Sequence, residues 1–273
     1  VMELCTIVPT SMLDSIKNER YHMVLAHLVG EDAEYTKFFQ SLHHRQTASV
    51  YGPMEEHYKI LDNSVIEGNQ VSIEELCEKA ALIDAQEIIL PDVLRNQTAT
   101  LKASYDAYLF VKKHYPWLNV MAVPQGNNLS EWAFCAREMM NWDVQSIGVP
   151  KLLTRMDGQH ARLFALQTMI SLGNYHPKNV DIHLLGCGET PLELYVISEA
   201  ERAGLIPLVR SCDSAIAYVY SKAGKYIENG ERPTDVNIAF DDKPCENMEL
   251  FNLNVEAWHA AVREQGKIIN LFK

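Results

Sequence analysis

Basic residues are in short supply: 24 Lys and Arg stand against 36 Asp and Glu, a formal net charge of -12 over 273 residues. Such a chain does not hold nucleic acid by bulk electrostatics, because non-specific affinity comes from Lys and Arg neutralising phosphates. A nucleic-acid role would need a local basic surface. Long hydrophobic runs are also missing. Stretches such as Met23 to Ala26 and Ala80 to Ile83 fall far short of the roughly 20 residues of a membrane helix, so no membrane partner is expected. The beginning, Val1-Met2-Glu3-Leu4-Cys5, has neither a basic region nor a continuous apolar one, so no secretory signal is read and a cytoplasmic location is expected. The six cysteines (Cys5, Cys77, Cys135, Cys187, Cys212, Cys245) form no C-x-x-C pair and no His-Cys cluster at zinc spacing. They are expected to be reduced and buried, with no metal and no cofactor bound. No G-x-G-x-x-G follows the first apolar strand and there is no P-loop, which argues against a doubly wound nucleotide-binding sheet.

What the chain does have is a repeated alternation of short β-branched runs and amphipathic helical stretches. Eight candidate strands are Leu4–Val8, Tyr21–Leu28, Lys59–Asp62, Glu87–Leu90, Asn119–Val123, Gln145–Gly148, Asp181–Leu185 and Pro207–Arg210. Helices are expected over about Thr98–Lys113, Ser130–Asn141, Gly158–Leu172 and Pro191–Ala203, and another starts at the capping box Ser72-Ile73-Glu74-Glu75. Apolar strands that each lead into a helix indicate a parallel sheet covered on its outer face. Eight of them favour a closed α/β (β/α)₈ barrel, a fold that takes about 250 residues as one unit. The expectation is a single domain over 1–273, with an extension from about 226 to 273 packing on the barrel. The polar stretches Ser41–Tyr58 and Lys225–Cys245 interrupt the alternation as insertions facing the substrate.

In such a barrel, functional residues sit at the C-terminal ends of the strands. The polar residues there are His27, Asp62 and Asn63, Asp92, Gln125, Gly148, Gly186 to Glu189, and Ser211 to Asp213. Three aspartates among them, Asp62, Asp92 and Asp213, follow apolar strand residues. Carboxylates converging on a barrel mouth can bind a divalent metal, supply a nucleophile with an acid/base, or receive donor groups of a ligand such as a purine edge. Each can also simply cap the helix that follows.

Five separated words carry a resemblance to a known family. They are Leu61-Asp62-Asn63-Ser64, Leu90-Pro91-Asp92-Val93, Val123-Pro124-Gln125-Gly126, Ile147-Gly148-Val149-Pro150, and His183-Leu184-Leu185-Gly186-Cys187-Gly188-Glu189-Thr190-Pro191, the last followed by Arg210-Ser211-Cys212-Asp213. In order and spacing this series resembles the tRNA-guanine transglycosylase superfamily, and within it the divergent phage and bacterial branch that places 7-deazaguanines in DNA. The resemblance covers about Lys59 to Lys225. It implies base exchange through a covalent Asp-sugar intermediate, with Asp213 as nucleophile and Asp62 as general acid/base. It also implies a guanine-binding pocket formed by Asn63, Asp92, Gln125, Gly148, Gly186, Gly188 and Arg210. The implied partners are a guanine or 7-deazaguanine base and a nucleic acid, with a second copy of the chain or a partner subunit as further candidates.

The departures are as informative. The family's glycines after the first aspartate are replaced by Asn63 and Ser64, and its T-R-x-G-R stretch by Ser221-Lys222-Ala223-Gly224-Lys225. The C-x-C-x-x-C…H zinc motif of tRNA-acting members has no counterpart, so the zinc-binding subdomain is expected to be lacking and DNA is favoured over tRNA. Phosphate contacts are then expected from a small rim of Lys151, Arg155, Lys222 and Lys225, with Arg162 and Arg210 nearby. Two alternatives stay open: hydrolysis or exchange at the N-glycosidic bond of a small nucleoside, which the acidic charge favours, and a non-catalytic barrel subunit of a nucleic-acid modification complex. Among the histidines, His27 and His183 stand nearest the strand ends. Trp117, Trp132 and Trp142 are expected to pack, as are Tyr218 and Tyr220, although both tyrosines also stand where they could stack on a base.

Overall fold

The computed structural model describes residues 2–42, 57–64, 68, 71–153, 158, 160–171, 180–187, 191–228, 232–233 and 235–263. Eight parallel strands form one sheet: β1 (Glu3–Thr6), β2 (Tyr21–Leu25), β3 (Tyr58–Asp62), β4 (Glu87–Ile89), β5 (Asn119–Ala122), β6 (Ser146–Pro150), β7 (Asp181–Leu185) and β8 (Ser211–Ser214). Their order is β1-β8-β7-β6-β5-β4-β3-β2, so the sheet curls until its two edge strands face each other. Glu19 stitches that seam. Its carboxylate accepts the Thr6 N–H at 2.8 Å and the Thr6 hydroxyl, while Arg20 pairs with Glu3 at 3.1 Å. This is the expected (β/α)₈ barrel.

The helices are α1 (Ala33–Ser41), α2 (Ile73–Leu82), α3 (Gln97–His114), α4 (Leu129–Met140), α5 (Ala161–Ser171), α6 (Leu192–Arg202), α7 (Ile216–Lys222) and α8 (Met248–Arg263), with a 3₁₀ turn at Thr10–Ile16. Local chemistry sets their starts. Ser72 caps α2 by accepting the Glu75 N–H, and Asp32, Asn96 and Asn128 do the same for α1, α3 and α4. Helix α8 lies against α6 and α7. Among the described residues no helix is long and apolar enough to cross a membrane. All six cysteines are free and buried.

One strand differs from its expected position: β8 is Ser211–Ser214, not Pro207–Arg210. Leu208 is 66% exposed, and the Val209 N–H is taken by Glu201 Oε2. Ser-Cys-Asp-Ser has little intrinsic strand preference. It is held extended because β1 and β7 offer ladders on both its sides. Asp213 therefore sits inside a strand with its side chain inward, not on the loop that follows.

The strands alternate strictly. Cys5, Met23, Ile60, Ile89, Met121 and Val123 point into the barrel, while their neighbours pack outward under the helices. At the N-terminal floor the interior turns polar. Arg210 donates to Glu87 at 2.6 Å and to the more exposed Asp181 at 3.2 Å, and its guanidinium lies 5.8 and 5.2 Å from the rings of Tyr21 and Tyr58. Glu87 is fully buried and also accepts the Ser146 hydroxyl. On the outer face, Lys59 is fully buried and donates to the carbonyls of Phe39, Leu42 and Ile83 at 3.1, 2.6 and 2.5 Å. One ammonium thus serves the C-terminal ends of both α1 and α2, where cations are favoured.

Two outcomes follow for stability. Replacing Arg210 by Leu leaves the Glu87 carboxylate buried without its cation, and denaturant unfolding should show a loss of about 3–5 kcal/mol. Burial and the neighbouring His57 hold His22 neutral, with its pKa lowered to about 3 against 6.5 for a free imidazole. The unfolded chain then binds the extra proton, so stability falls as pH drops from about 6.5 towards 3. His22→Gln should flatten that part of a stability-versus-pH curve relative to wild type.

Candidate active site

At the opposite, C-terminal end of the strands lies a cavity of about 330 Å³. Every strand reaches it: Ile7 follows β1, Leu25 ends β2, Asp62 ends β3, Asp92 follows β4, Gln125 follows β5, Pro150 ends β6, Gly186 follows β7 and Asp213 lies in β8. Convergence of residues so far apart in sequence is what barrel closure produces. The walls are mostly aliphatic, from Met23, Ile89, Val123 and Leu185. The polar groups are Asp62, Asn63, Asp92, Gln125, Lys151 and Asp213.

On the β3–β5 side the polar groups form a locked set. Gln125 Nε2 donates to Asp92 Oδ2 at 2.6 Å, and Asn63 Nδ2 donates to Asp92 Oδ1 at 3.3 Å and to the Leu90 carbonyl at 2.9 Å. The Arg95 N–H donates to Gln125 Oε1 at 3.3 Å, which fixes the direction of that amide. Burial raises the Asp92 pKa, while the two amide donors act in the opposite sense. Next to this set Asp62 Oδ2 accepts the Ser64 N–H at 3.3 Å. Ser64 has φ 57°, and its hydroxyl meets His27 Nδ1 at 2.9 Å.

Across the cavity, Asp213 Oδ1 accepts the Gly186 N–H at 3.0 Å and faces His183 Nε2 at 3.0 Å. Gly186 has φ 71°, a left-handed turn that aims its N–H at the carboxylate. Arg162 holds that turn from behind. It donates to the Gly186 carbonyl at 2.6 Å and the Leu185 carbonyl at 3.3 Å, and pairs with Glu193.

Five sequence-predicted site residues therefore meet as a group: Asp213, Asp62, Asn63, Asp92 and Gln125, joined by Gly186 and by Lys151 from the expected rim. Others do not. Gly148 is not among the residues lining the cavity: a Cβ there would come within 2.8 Å of Leu185 Cδ1, 3.0 Å of Val123 Cγ2 and 3.1 Å of Met121 Sδ. It is glycine because the barrel interior is full at that level, and Pro150 to Leu152 line the cavity in its place. Arg210 is in the floor, at the wrong end of the strands to touch a ligand. Lys222 is tied to Asp242 at 2.5 Å and Lys225 follows α7; neither lines the cavity. Arg162, expected near the rim, is fully buried. Arg155 and Gly188 lie outside the described residues, as does most of the Ser41–Tyr58 stretch. Tyr218 and Tyr220 are buried, and Tyr218 donates to Asp242, while Trp117 is 54% exposed and does not pack as expected.

The residue that sequence placed only near the site is His183, fully buried and in contact with Asp213. Its signal was the period of two: His183, Leu185, Ser211 and Asp213 share the inward face. Among the described residues no three His, Cys, Asp or Glu side chains form a metal-ligand set. The fold and the site define a (β/α)₈ barrel whose mouth carries three carboxylates, Asp62 and Asp92 on one side and Asp213 on the other. No protein-family model matches the chain, and no characterised protein matches it in sequence.

Gly148→Ala tests the packing reading. Overfilling the interior should cost about 1–3 kcal/mol in denaturant unfolding, and any ligand of the cavity should bind more weakly as Leu185 is pushed towards it.

Proposed function

We propose that this protein is a base-exchange glycosyltransferase that replaces guanine in a nucleic acid, DNA in preference to tRNA, with a 7-deazaguanine. The observation that carries this reading is the convergence of Asp213, Asp62, Asp92 and Gln125 on one cavity. Strands β4 and β8 are four places apart in a ring of eight, so Asp92 and Asp213 face each other across the cavity. A planar base held at one side by the Asp92–Gln125–Asn63 set directs its glycosidic bond towards the other. The carboxylate and the amides of that set complement guanine, which offers donors at N1 and N2 and an acceptor at O6. The aliphatic walls suit its faces.

The reaction is a double displacement. Asp213 attacks C1′ through an oxocarbenium-like transition state, the C1′–N9 bond breaks, and Asp62 protonates the departing guanine. The 7-deazaguanine then enters, loses its N9 proton to Asp62, and attacks C1′ from the vacated side, releasing the Asp213 carboxylate. Within a duplex the target nucleotide must leave the stack. In this reading Lys151, which lines the cavity, meets its phosphate. A net charge of -12 makes that contact local and sensitive to salt. The reading in which tRNA is not the substrate draws support from the end of α7. Ser221 and Lys222, which stand in the family's basic stretch, are used within the fold by Asn254 and Asp242.

Incubation with labelled guanine and guanine-containing DNA or RNA should give incorporation of label, with DNA the better acceptor. Asp213→Ala and Asp213→Asn should each abolish it while the circular dichroism spectrum is kept. Release of free base without incorporation would replace exchange with hydrolysis. Exchange confined to free nucleosides would replace the polymer substrate, and turnover on no substrate would leave the barrel a binding subunit.

A further inference from the structure

A chain of buried polar groups rises from the barrel floor to Asp213. Arg210 Nε donates to Ser211 Oγ at 3.3 Å, Ser211 Oγ meets His183 Nδ1 at 2.8 Å, and His183 Nε2 meets Asp213 Oδ1 at 3.0 Å. Ser211 and His183 are both fully buried, so neither has bulk water as an alternative partner. An arginine Nε always carries its proton, so Ser211 receives that bond and can turn its own O–H to His183 Nδ1. A neutral His183 is then protonated on Nε2, and a protonated ring carries a proton there as well. In either state the imidazole donates to Asp213.

Asp213 Oδ1 is thus held twice, by His183 Nε2–H and by the Gly186 N–H at 3.0 Å. Both donors converge on the same oxygen of a side chain that is only 11% exposed yet lines the cavity. We infer that His183 is a positioning residue for Asp213, acting with Gly186 to fix Oδ1 and leave Oδ2 as the oxygen that bonds to C1′; this rests on the transglycosylase reading of the site.

The chemistry is consistent in both directions. When Oδ2 attacks C1′ the C1′–N9 electron pair leaves with the base, and Oδ1 becomes the ester carbonyl, still accepting both bonds. In the second half the C1′–Oδ2 pair returns to the carboxylate, and the same donors stabilise the charge that develops on it. His183 gains and loses no proton. The other titratable groups facing Asp213 are Cys5 on β1, whose thiol burial pushes up and keeps neutral, and Asp62, Asp92 and Lys151 around the same cavity.

The test compares His183→Leu, which has the size but no donor, with His183→Gln, whose Nε2 amide can replace the imidazole donor. Two readouts are taken: the titration of the Asp213 carboxyl by carbon-13 NMR, assigned with Asp213→Asn, and steady-state guanine exchange. In His183→Leu the Asp213 pKa should rise by roughly one unit and kcat should fall about 100-fold with KM changed less than about threefold. His183→Gln should restore both to within about tenfold and a few tenths of a unit of wild type. An unchanged Asp213 titration in folded His183→Leu overturns the inference, as does a His183→Gln that folds but behaves like His183→Leu. If wild type exchanges no base, the function proposed above fails alone, because the Asp213 titration still decides whether His183 holds that carboxylate. Should His183→Leu not fold, His183→Gln against His183→Asn, whose shorter amide does not reach Oδ1, gives the same comparison.

Discussion

The Arg210 guanidinium, enclosed in the floor of the barrel, sets the direction of the polar groups above it. A buried cation needs a compensating anion, and Glu87 on β4 provides it from across the interior. The pair draws β4 and β8 to one place at the bottom and leaves the Arg210 Nε–H directed at Ser211. From there each hydrogen bond has its donor and acceptor assigned in turn, up to Asp213. The apolar interior layer of Cys5, Met23, Ile60, Ile89 and Met121 surrounds this column and keeps water from competing with it. The structural end of the barrel and its chemical end are therefore linked by named atoms, as well as by the shared sheet.

The cavity follows from the same arrangement. Gly148 within β6 leaves room for the Leu185 and Val123 side chains that line it. Each carboxylate is supported differently. Asp92 is clamped between two amides, Asp62 takes a backbone N–H, and Asp213 has one oxygen held by a backbone N–H and an imidazole. Different environments for three chemically identical groups are how a site separates recognition from nucleophilic and acid/base roles.

Much of the architecture was legible in the sequence because it follows from periodicity. The alternation of apolar strands and amphipathic helices led to eight strands and a barrel, and the Ser72 capping box located the start of α2 to the residue. The eighth strand was misplaced because Pro207–Arg210 looks more strand-like than Ser211–Ser214. Flanking ladders, not propensity, decide that position. Four of the site residues, Asp62, Asp92, Gln125 and Asp213, were visible as polar residues ending apolar runs, which the barrel rule alone marks as mouth residues.

What the sequence determined by itself is which residues alternate inward and which end of each strand they occupy, since both depend on positions only a few residues apart. Its shortage of basic residues likewise set the net charge before any fold was known. Which polar residues face one another was decided only in three dimensions. Arg210 and Glu87, 123 positions apart, meet in the floor, and His183 and Asp213, 30 apart, meet beneath the cavity. Gly148 and Arg210 belong to packing and to the floor because closure of the barrel fills one level with side chains and turns another towards a buried carboxylate. Those are consequences of strand order and stagger, which no local pattern encodes.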